Sequence, residues 1–267
     1  MDKNLKIGIA GLGLIGSSLL RVLYKKGYKI LSYSASSYKK AKEFSLNADD
    51  KLEVLKDADV VFVCSTIEKT PEILDKLNDI LKKDTIVTDA CSVKKGLLNK
   101  KYNFNFILSH PMAGNEKSGF DAGDDGLFLK AKWLIEKNNP TLEEIIKDTG
   151  AVPLVVDMKK HDRLCAEISH LPAILSFLIF NSASNEAKQI ASSGFRDMTR
   201  LAQTNSSLAI NMFNNNLDNI TEIFKTLENK LNDLKNMTDD EKIKLFKETA
   251  LKRAKMYDSD GKNIFKI

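Results

Sequence analysis

Cysteine is scarce in this chain, and the spacing of the few cysteines excludes their usual structural uses. Cys64, Cys91 and Cys165 lie far apart, and no C-x-x-C pair occurs. Disulfide scaffolds need many cysteines, and structural zinc sites need closely spaced pairs. We therefore expect no disulfide, no metal and a reducing compartment, the cytoplasm.

Long hydrophobic runs are also missing. The most apolar segment, residues 171–180, is far shorter than the ~20 residues that a membrane-spanning helix requires. This segment therefore predicts a buried helix of a globular domain. The first residues lead directly into a predicted strand and lack the apolar stretch of a signal peptide. We expect no membrane partner.

An excess of charge of one sign is nearly absent. The formal net charge is +5, from 41 Lys and Arg against 36 Asp and Glu, and the basic residues are scattered along the chain. So small an excess argues against the basic surface of a nucleic-acid-binding protein. It suits an anionic substrate or cofactor, although a solvated, Lys-rich surface explains most of it.

Two regions with different hydrophobic periods divide the 267 residues. In the first, short apolar runs alternate with amphipathic stretches, which predicts the α/β class with a mainly parallel sheet and helices on both faces. The predicted strands are residues 6–10, 29–33, 60–65, 85–89, 104–109, 132–135 and 152–156, and the helices between them include 15–26, 71–81 and 141–149. Later residues show only helical periodicity. We expect an α/β domain at residues 1–156 and an all-helical domain at 157–267.

A glycine-rich loop joins the first predicted strand to the first predicted helix. It has the G-x-G-x-x-G pattern and consists of Gly11, Leu12, Gly13, Leu14, Ile15 and Gly16. The first glycine permits a tight turn, the second a close approach to a pyrophosphate, and the third close packing of helix on strand. The helix N-terminus adds free N–H groups and partial positive charge. We predict a Rossmann-like domain that binds NAD or NADP, with Ser65 at the same edge of the sheet.

The residues after the second predicted strand bear on the choice between these dinucleotides. An NAD site usually has an acidic residue there, which binds the ribose 2′-hydroxyl. Here Ser34, Ser36 and Ser37 follow the strand, with Lys39 and Lys40 behind them. Hydroxyl groups and lysines suit a 2′-phosphate, so we favour NADP. NAD is the alternative, because it also binds without the acid.

All three histidines of the chain lie within short motifs. The motifs are SHPMAGNEKSG (109–119), HD (161–162) and SHLP (169–172), with TDACSVK (88–94) before them and GFRDMTRLA (194–202) after them. Together with the glycine loop, and in this order, they resemble the prephenate dehydrogenase family over residues 6–202. The conjunction is much more specific than any one motif.

The resemblance implies a reaction in tyrosine biosynthesis. Members of the family oxidise the ring alcohol of prephenate by hydride transfer to the nicotinamide, and loss of the ring carboxylate makes the ring aromatic. His110 would remove the hydroxyl proton, a role that suits neutral imidazole. Ser92 matches the serine between this histidine and the nicotinamide, where its hydroxyl would fix the imidazole tautomer. Taken alone, Ser92 would be a helix N-cap.

The resemblance also implies sites for the substrate carboxylates. Arg200 matches the substrate-binding arginine, whose planar group can bind a carboxylate in bidentate fashion. Arg196 would share its helical face if this segment is helical, and Asp197 would either orient Arg200 or simply be exposed. The other matches are polar residues in or around the substrate pocket: His170, His161, Asp162 and Glu116. For Arg196 and Glu116, an ordinary exposed charge is the alternative.

A regular apolar seam marks the second region. Its members follow one another in steps of three and four: Ile210, Phe213, Leu217, Ile220, Phe224, Leu227, Leu231 and Leu234. Such a seam predicts one long helix packed against another, within the chain or across a homodimer interface, and its length favours the homodimer. Beyond it we expect one more charged helix, which ends near Tyr257, and then a frayed tail.

Three other functions remain in view. Arogenate dehydrogenase performs the same chemistry on a substrate that differs only in its side chain. A hydroxyacid dehydrogenase of similar architecture would typically use a lysine where this chain has His110. A protein that senses NAD(P) without turnover is the third, and the intact His110, Ser92 and Arg200 argue against it. Because the two predicted domains use the whole chain, we expect a monofunctional enzyme.

Overall fold

The computed structural model describes residues 4–257, which fall into two compact units. The first unit extends to Ile220 and contains all the strands of the described residues. The second begins at Thr221 and is helical. Residues 258–267, predicted as a frayed tail, lie outside the described part of the chain.

A six-stranded parallel sheet with the strand order β3-β2-β1-β4-β5-β6 forms the centre of the first unit. The strands are β1 (Lys6–Ala10), β2 (Lys29–Tyr33), β3 (Asn47–Asp49), β4 (Val60–Val63), β5 (Ile86–Asp89) and β6 (Asn105–Ile107). The order reverses between β1 and β4, so the loops after these two strands are neighbours at the usual ligand-binding edge of such sheets. The predicted Rossmann-like class is confirmed. Of the six strands in this sheet only β3 was missed, because this short segment carries no strand periodicity.

Both faces of this sheet are buried under helices, which explains why its strands are continuous apolar runs. On one face, Ile7 and Ile9 of β1 pack with α1 (Leu14–Lys25) and α4 (Pro140–Asp148). On the other face, Val61 and Val63 of β4 pack with α3 (Thr70–Ile80). A short helix α2 (Tyr38–Ala41) and a 3₁₀ turn (Leu52–Leu55) complete the connections around β3.

A second, three-stranded sheet carries the SHP motif. It consists of β7 (Ser109–Pro111), β8 (Lys132–Ile135) and β9 (Val152–Val155), with β7 antiparallel and β9 parallel to β8. The prediction of a single strand at residues 104–109 is therefore wrong. The chain leaves the first sheet at Leu108, whose carbonyl accepts a hydrogen bond from the N–H of Glu136 (2.9 Å). As a result His110 lies on a strand and not in a loop after one.

A continuous helical stretch follows the second sheet. Helix α5 (Met158–Cys165) runs through one π turn (Ala166–His170) into α6 (Leu171–Ser182). Among the described residues, this one helix is long and apolar enough to cross a membrane by length and composition. The prediction of a short buried helix at residues 171–180 is thus wrong in length. It is also wrong in burial, because Phe177 is 56% exposed within this chain.

The seam predicted as one long helix is divided in two. Helices α7 (Asn185–Gln189), α8 (Ser193–Thr199) and α9 (Ser206–Asn215) precede α10 (Leu217–Asn236), with a 3₁₀ turn (Arg200–Gln203) after α8. Asn216, only 4% exposed, interrupts the seam between α9 and α10. Its side-chain amide donates to the carbonyl oxygen of Asp162 (2.7 Å) and contacts Nδ1 of His170 (3.0 Å). The side chain of Asn216 thus ties this break to α5 and to the π turn.

The second unit contains the rest of α10 and helix α11 (Asp239–Met256). A capping box begins α11, because Thr238 Oγ1 accepts from the N–H of Glu241 and the Glu241 carboxylate accepts from the N–H of Thr238 (2.8 Å). This pairing satisfies two of the backbone donors that a helix N-terminus leaves free. The charged helix predicted to end near Tyr257 corresponds to α11.

Candidate active site

The glycine loop has the geometry of a phosphate-binding turn. Gly11 has a φ of 101°, and a β-carbon there would lie 2.6 Å from the carbonyl oxygen of Cys64 and 3.3 Å from the backbone nitrogen of Ser65. A β-carbon at Gly16 would lie 1.9 Å from the carbonyl oxygen of Gly11, so only glycine lets α1 approach the loop this closely. At Gly13 the corresponding space is open.

The start of α1 makes that open space suitable for an anion. Leu14 begins the helix directly after Gly13, and no side chain caps this end. The N–H groups of the first turn therefore have no partner within the helix, and they carry the positive end of its dipole. An uncapped helix N-terminus beside a position with room for a close approach fits the pyrophosphate of a dinucleotide.

Two glycine substitutions separate the roles of this loop. We expect Gly13→Ala to leave thermal unfolding unchanged but to weaken NAD(P) binding at least ~10-fold, the equivalent of about 1.4 kcal/mol, because the added methyl group occupies the path of the pyrophosphate. We expect Gly16→Ala to lower the free energy of unfolding by about 1–3 kcal/mol through overpacking. Calorimetry and fluorescence titration measure the two effects. Gly96→Ala, at another open position, is the control and should change neither.

The turn after β2 is shaped by a buried serine. Ser34 is 7% exposed, and its hydroxyl accepts hydrogen bonds from the backbone N–H groups of Ser36 (3.4 Å) and Ser37 (3.0 Å). Lys40 forms an ion pair with Asp121. The Ser34 hydroxyl therefore organises the turn, and no carboxylate stands at the end of β2.

His110 lies at the head of a buried chain of hydrogen-bonding side chains. Its Nδ1 is 3.0 Å from Nε2 of His161, and Nδ1 of His161 is 2.7 Å from Oδ1 of Asp162. His161 is fully buried, whereas His110 retains 9% exposure. Hydrogen bonds thus connect His110 on β7 to two residues of α5 that are about 50 positions later in the sequence.

Asp162 connects this chain to the loop after β5. Its two carboxylate oxygens accept the backbone N–H groups of Lys94 (2.7 Å) and Lys95 (2.8 Å), in addition to His161. Burial alone would raise the pKa of Asp162, but the hydrogen bonds from His161 and from the two backbone N–H groups hold it below its usual value. Asp162 is therefore ionised at neutral pH.

The charge of Asp162 fixes both imidazole tautomers. An ionised carboxylate only accepts hydrogen bonds, so Nδ1 of His161 must donate to it, and in the neutral ring Nε2 of His161 then carries a lone pair. Nδ1 of His110 then donates to that lone pair. The remaining nitrogen of His110, Nε2, is left with a lone pair that can accept a proton. The arrangement presents His110 as a base.

A buried ion pair lies beneath His110. Lys94 is fully buried, and its ammonium group contacts the carboxylate of Asp89 and the carbonyl oxygen of Ser109. Burial and the positive charge of Lys94 hold the pKa of His110 well below 6.5. His110 is therefore neutral at pH 7, the form a general base requires. The pair Asp89–Lys94 was not singled out by the sequence analysis.

Ser92 lies in the same loop as Lys94. It is half-buried, and no hydrogen bond joins it to His110 within the described part of the chain. The residues after it form turns, so the helix N-cap considered for Ser92 has no helix to cap. Nδ1 of His110 is already hydrogen-bonded to His161. A hydrogen bond between Ser92 and the imidazole of His110 would therefore have to involve Nε2.

His170 offers a buried nitrogen without a partner. It is 1% exposed, its Nδ1 accepts from the side-chain amide of Asn216 (3.0 Å), and its Nε2 has no hydrogen-bond partner among the described residues. Because Nδ1 accepts, Nε2 carries the proton and is an unused donor. Buried donors are rarely left unpaired, so this one fits an acceptor supplied by a ligand.

The burial of His170 predicts acid sensitivity of the fold. Burial lowers the pKa of His170 to about 4, against an ordinary value of 6.5. The unfolded chain binds this proton below pH 6.5 and the folded chain does not until about pH 4, so the contribution to stability is complete above pH 6.5 and is lost as pH falls. We expect the free energy of unfolding to drop by roughly 3 kcal/mol from this residue between pH 7 and 4. Urea denaturation measures the drop, which should be smaller in a His170→Gln variant.

The predicted carboxylate-binding residues lie on and after α8. Arg200 is exposed at the start of the 3₁₀ turn, and this turn is tied to α6 by a hydrogen bond from the N–H of Ala202 to Ser176 Oγ (2.9 Å). Arg196 is exposed and pairs with its neighbour Asp197 (3.1 Å). Among the described residues Asp197 is an exposed partner of Arg196, and no hydrogen bond or ion pair joins it to Arg200, so its exposed alternative is the one found. Helix α8 contains Arg196 and ends at Thr199, and Arg200 follows directly in a helical backbone conformation at the start of the 3₁₀ turn.

Glu116 lies in the exposed loop between β7 and β8. No hydrogen bond of its side chain is found within the described residues. The side chain of the neighbouring Asn115 accepts a hydrogen bond from the N–H of Lys117 (2.9 Å) and so stabilises the turn in this loop. A position at the mouth of a pocket is compatible with this exposure.

Two models of the same protein family match the chain in succession. The nucleotide-binding domain of prephenate dehydrogenase matches residues 20–152, and the dimerization domain of prephenate dehydrogenase matches residues 157–252. The chain belongs to the prephenate dehydrogenase family. The resemblance found in the motifs is thereby confirmed, and the match to a nucleotide-binding domain supports binding of NAD(P) by the first part of the chain.

Individual members of the family show the same likeness. A prephenate dehydrogenase of Lactococcus lactis is 32% identical over 219 residues, which cover 75% of this chain and 62% of that protein. The chain thus spans less than two thirds of the length of this curated relative. The crystal structure of Synechocystis arogenate dehydrogenase superposes with a TM-score of 0.81 at 29% identity, covering 94% of this chain and 99% of that one.

A second solved structure is a complex. Prephenate dehydrogenase from Aquifex aeolicus, bound to hydroxyphenyl propionate and NAD⁺, superposes with a TM-score of 0.81 at 26% identity. The superposition covers 94% of this chain and 98% of that one. The likeness therefore extends over both the sheet and the helices that follow it.

Proposed function

We propose that the protein catalyses the oxidative decarboxylation of prephenate to 4-hydroxyphenylpyruvate with NAD(P) as hydride acceptor. One observation carries the proposal: in a chain of the prephenate dehydrogenase family, His110 is neutral and its Nε2 lone pair is left free by the chain His110–His161–Asp162. This is the state that removal of a hydroxyl proton requires.

The proton transfer begins at His110. Its Nε2 accepts the proton of the ring hydroxyl as the alcohol becomes a carbonyl, and the positive charge that forms is shared along the chain to ionised Asp162. A bound NAD(P) would supply the acceptor for the hydride that leaves the same carbon. Loss of the ring carboxylate as CO₂ then restores the electron pair to the ring, which becomes aromatic. We propose that Ser92 lies on the Nε2 side, where its hydroxyl can orient the substrate hydroxyl towards His110.

The substrate carries two carboxylates, and the exposed arginines supply the complementary charge. We assign one carboxylate to Arg200, whose segment is held against α6, and we place Arg196 and Glu116 at the mouth of the pocket. The unpaired Nε2–H of His170 provides a further donor for a substrate oxygen. His161 and Asp162 act through His110 and hold its tautomer.

We propose that Gly11 to Gly16, Ser34, Ser36, Ser37 and Ser65 line the dinucleotide site, and that NADP is preferred over NAD. The absence of a carboxylate at the end of β2 supports this preference. Because Lys40 is paired with Asp121, the remaining candidate for a 2′-phosphate is Lys39 with the hydroxyl groups of Ser36 and Ser37. The preference for NADP over NAD is expected to be small.

We further propose that the helical domain from residue 157 onward forms a homodimer in the cytoplasm. The family model for residues 157–252 is described as a dimerization domain. Large apolar side chains are exposed on α6 in the single chain, with Phe177 at 56%, Leu178 at 46% and Phe180 at 43%. A second copy of the chain would cover such a surface.

The proposal is tested by the reaction itself. Purified protein is mixed with prephenate or arogenate, each with NAD and with NADP, and formation of reduced nicotinamide and of the aromatic product is followed. Turnover of prephenate supports the proposal. The cofactor that gives the faster reaction decides whether NADP is preferred over NAD, as the serine at position 34 suggests. Turnover of arogenate but not of prephenate would show that the protein is an arogenate dehydrogenase, like the Synechocystis relative. Folded protein that binds the dinucleotide but turns over neither substrate would contradict an enzymatic function.

A further inference from the structure

Three donor atoms of types that bind zinc converge next to the proposed catalytic base. They are Nδ1 of His110, Nε2 of His161 and Sγ of Cys165, and all three residues are buried. His161 and Cys165 lie one turn apart on the same face of α5, and His110 faces them from β7. Cys165 plays no part in the proposed reaction.

The separations of these atoms match three corners of a tetrahedron around zinc. With Zn–N of about 2.0–2.1 Å and Zn–S of about 2.3 Å, tetrahedral geometry requires N···N of about 3.3 Å and N···S of about 3.5 Å. The observed N···N separation is 3.0 Å, and the two N···S separations are 3.4 Å to His161 and 3.8 Å to His110. Sγ is also 3.9 Å from Nδ1 of His161, so it lies beside that ring and off the line of its Nε2 lone pair. The Cys165 side chain must therefore rotate to complete the site.

The surroundings also resemble those of a zinc site. Metal-bound histidines usually donate their second N–H to a carboxylate, which fixes the ring and increases its basicity. His161 already donates Nδ1–H to Asp162 at 2.7 Å, and its Nε2 lone pair faces Nδ1 of His110 at 3.0 Å. Asp162 is itself held by the backbone N–H groups of Lys94 and Lys95. One ligand is therefore oriented before any ion binds.

We propose that His110, His161 and Cys165 form an inhibitory site for Zn²⁺ in which the ion switches His110 to the wrong tautomer. When Zn²⁺ bonds to Nδ1 of His110, the proton of that nitrogen moves to Nε2. His161 binds through the lone pair it already has, and Cys165 releases its thiol proton to solvent. The Nε2 lone pair is thereby lost, and the proton of a substrate hydroxyl has no acceptor. The inhibition rests on the proposed function, whereas the metal binding does not.

The binding is tested with Co²⁺, which takes the place of Zn²⁺ and is coloured. Native protein titrated with Co²⁺ is expected to bind one ion with a thiolate-to-cobalt charge-transfer absorption, which Zn²⁺ then displaces. Cys165→Ala should lose this absorption. Cys91→Ala, which removes another buried thiol, should keep it. Absence of the absorption from the native protein, or its presence in Cys165→Ala, would overturn the proposal without reference to turnover.

The inhibition is tested by turnover in the presence of Zn²⁺. We expect Cys165→Ala to turn over substrate at the native rate without metal but to need at least 100-fold more Zn²⁺ for half inhibition, because one ligand of three is gone. Cys91→Ala should be inhibited like the native protein, each relative to its own rate without metal. Equal inhibition of the native and Cys165→Ala proteins would contradict the proposed site even if the protein proves to be a prephenate dehydrogenase.

Discussion

Replacement of His110 by asparagine is expected to lower kcat for prephenate by about 10²–10⁴-fold, the contribution of a positioned general base. The asparagine amide can still donate to Nε2 of His161, so the buried chain loses only its proton acceptor. Steady-state kinetics measures the loss. In the native protein the acidic limb of kcat/KM should lie below pH 6.5, because burial and Lys94 lower the pKa of His110.

The His110→Asn variant should bind NAD(P) as tightly as the native protein and unfold at a similar temperature. The pH limb assigned to His110 should disappear from its residual activity. A variant that retains native kcat would show that another group takes the proton, and the assignment of the base to His110 would have to be withdrawn.

Replacement of Asp162 by asparagine is expected to lower kcat about 10²–10⁴-fold, although Asp162 does not touch the substrate. If the amide nitrogen of asparagine takes the place of Oδ1, the hydrogen bond from the N–H of Lys94 is lost. The amide then donates to Nδ1 of His161 and forces the proton of that ring onto Nε2. His161 then donates to His110, whose own proton moves to Nε2. The base is thus removed by two successive changes of tautomer.

The nitrogen chemical shifts of the imidazoles report this change directly. In the native protein Nδ1 of His110 should carry the proton, and in Asp162→Asn it should be Nε2. Asp218→Asn is the matched control, because Asp218 also accepts from the 94–95 loop, through the ammonium group of Lys95 (3.0 Å), but is exposed. The control should keep native activity. Native tautomers in Asp162→Asn together with full loss of activity would indicate a structural effect instead.

Features set by local pattern were predictable from the sequence. The parallel strands follow from apolar runs separated by helix-forming stretches, and the glycine loop follows from steric demands on Gly11 and Gly16 that no other residue meets. These features depend on neighbours in the sequence or on a single nearby strand. For that reason the predicted bounds of β1, β2, β4 and β5 needed little correction.

Features set by contacts between distant residues were not predictable in the same way. The motifs identified His110, His161 and Asp162 as candidate site residues. Their order in a hydrogen-bonded chain, however, depends on how α5 packs against β7. Lys94 was quoted only as the last residue of the motif TDACSVK, and Asp89 in the same motif was a possible signal of a buried pair. Asn216 looked like one polar residue next to an apolar seam, and only its bonds to Asp162 and His170 explain the break in the helix.

The π turn at Ala166–His170 has a consequence for the direction in which the following residues face. Successive residues of an α-helix are rotated by about 100°, so in a regular helix His170 would face roughly opposite to His161. A π turn accommodates one additional residue, which reduces the angle between the two side chains to roughly 80°. Both are buried on the same side, where Asn216 joins the backbone of Asp162 to His170. A chain one residue shorter in this turn could keep the same arrangement in a regular helix. An additional residue between His161 and the π turn would instead rotate His170 and all of α6 relative to His161 by about 100°.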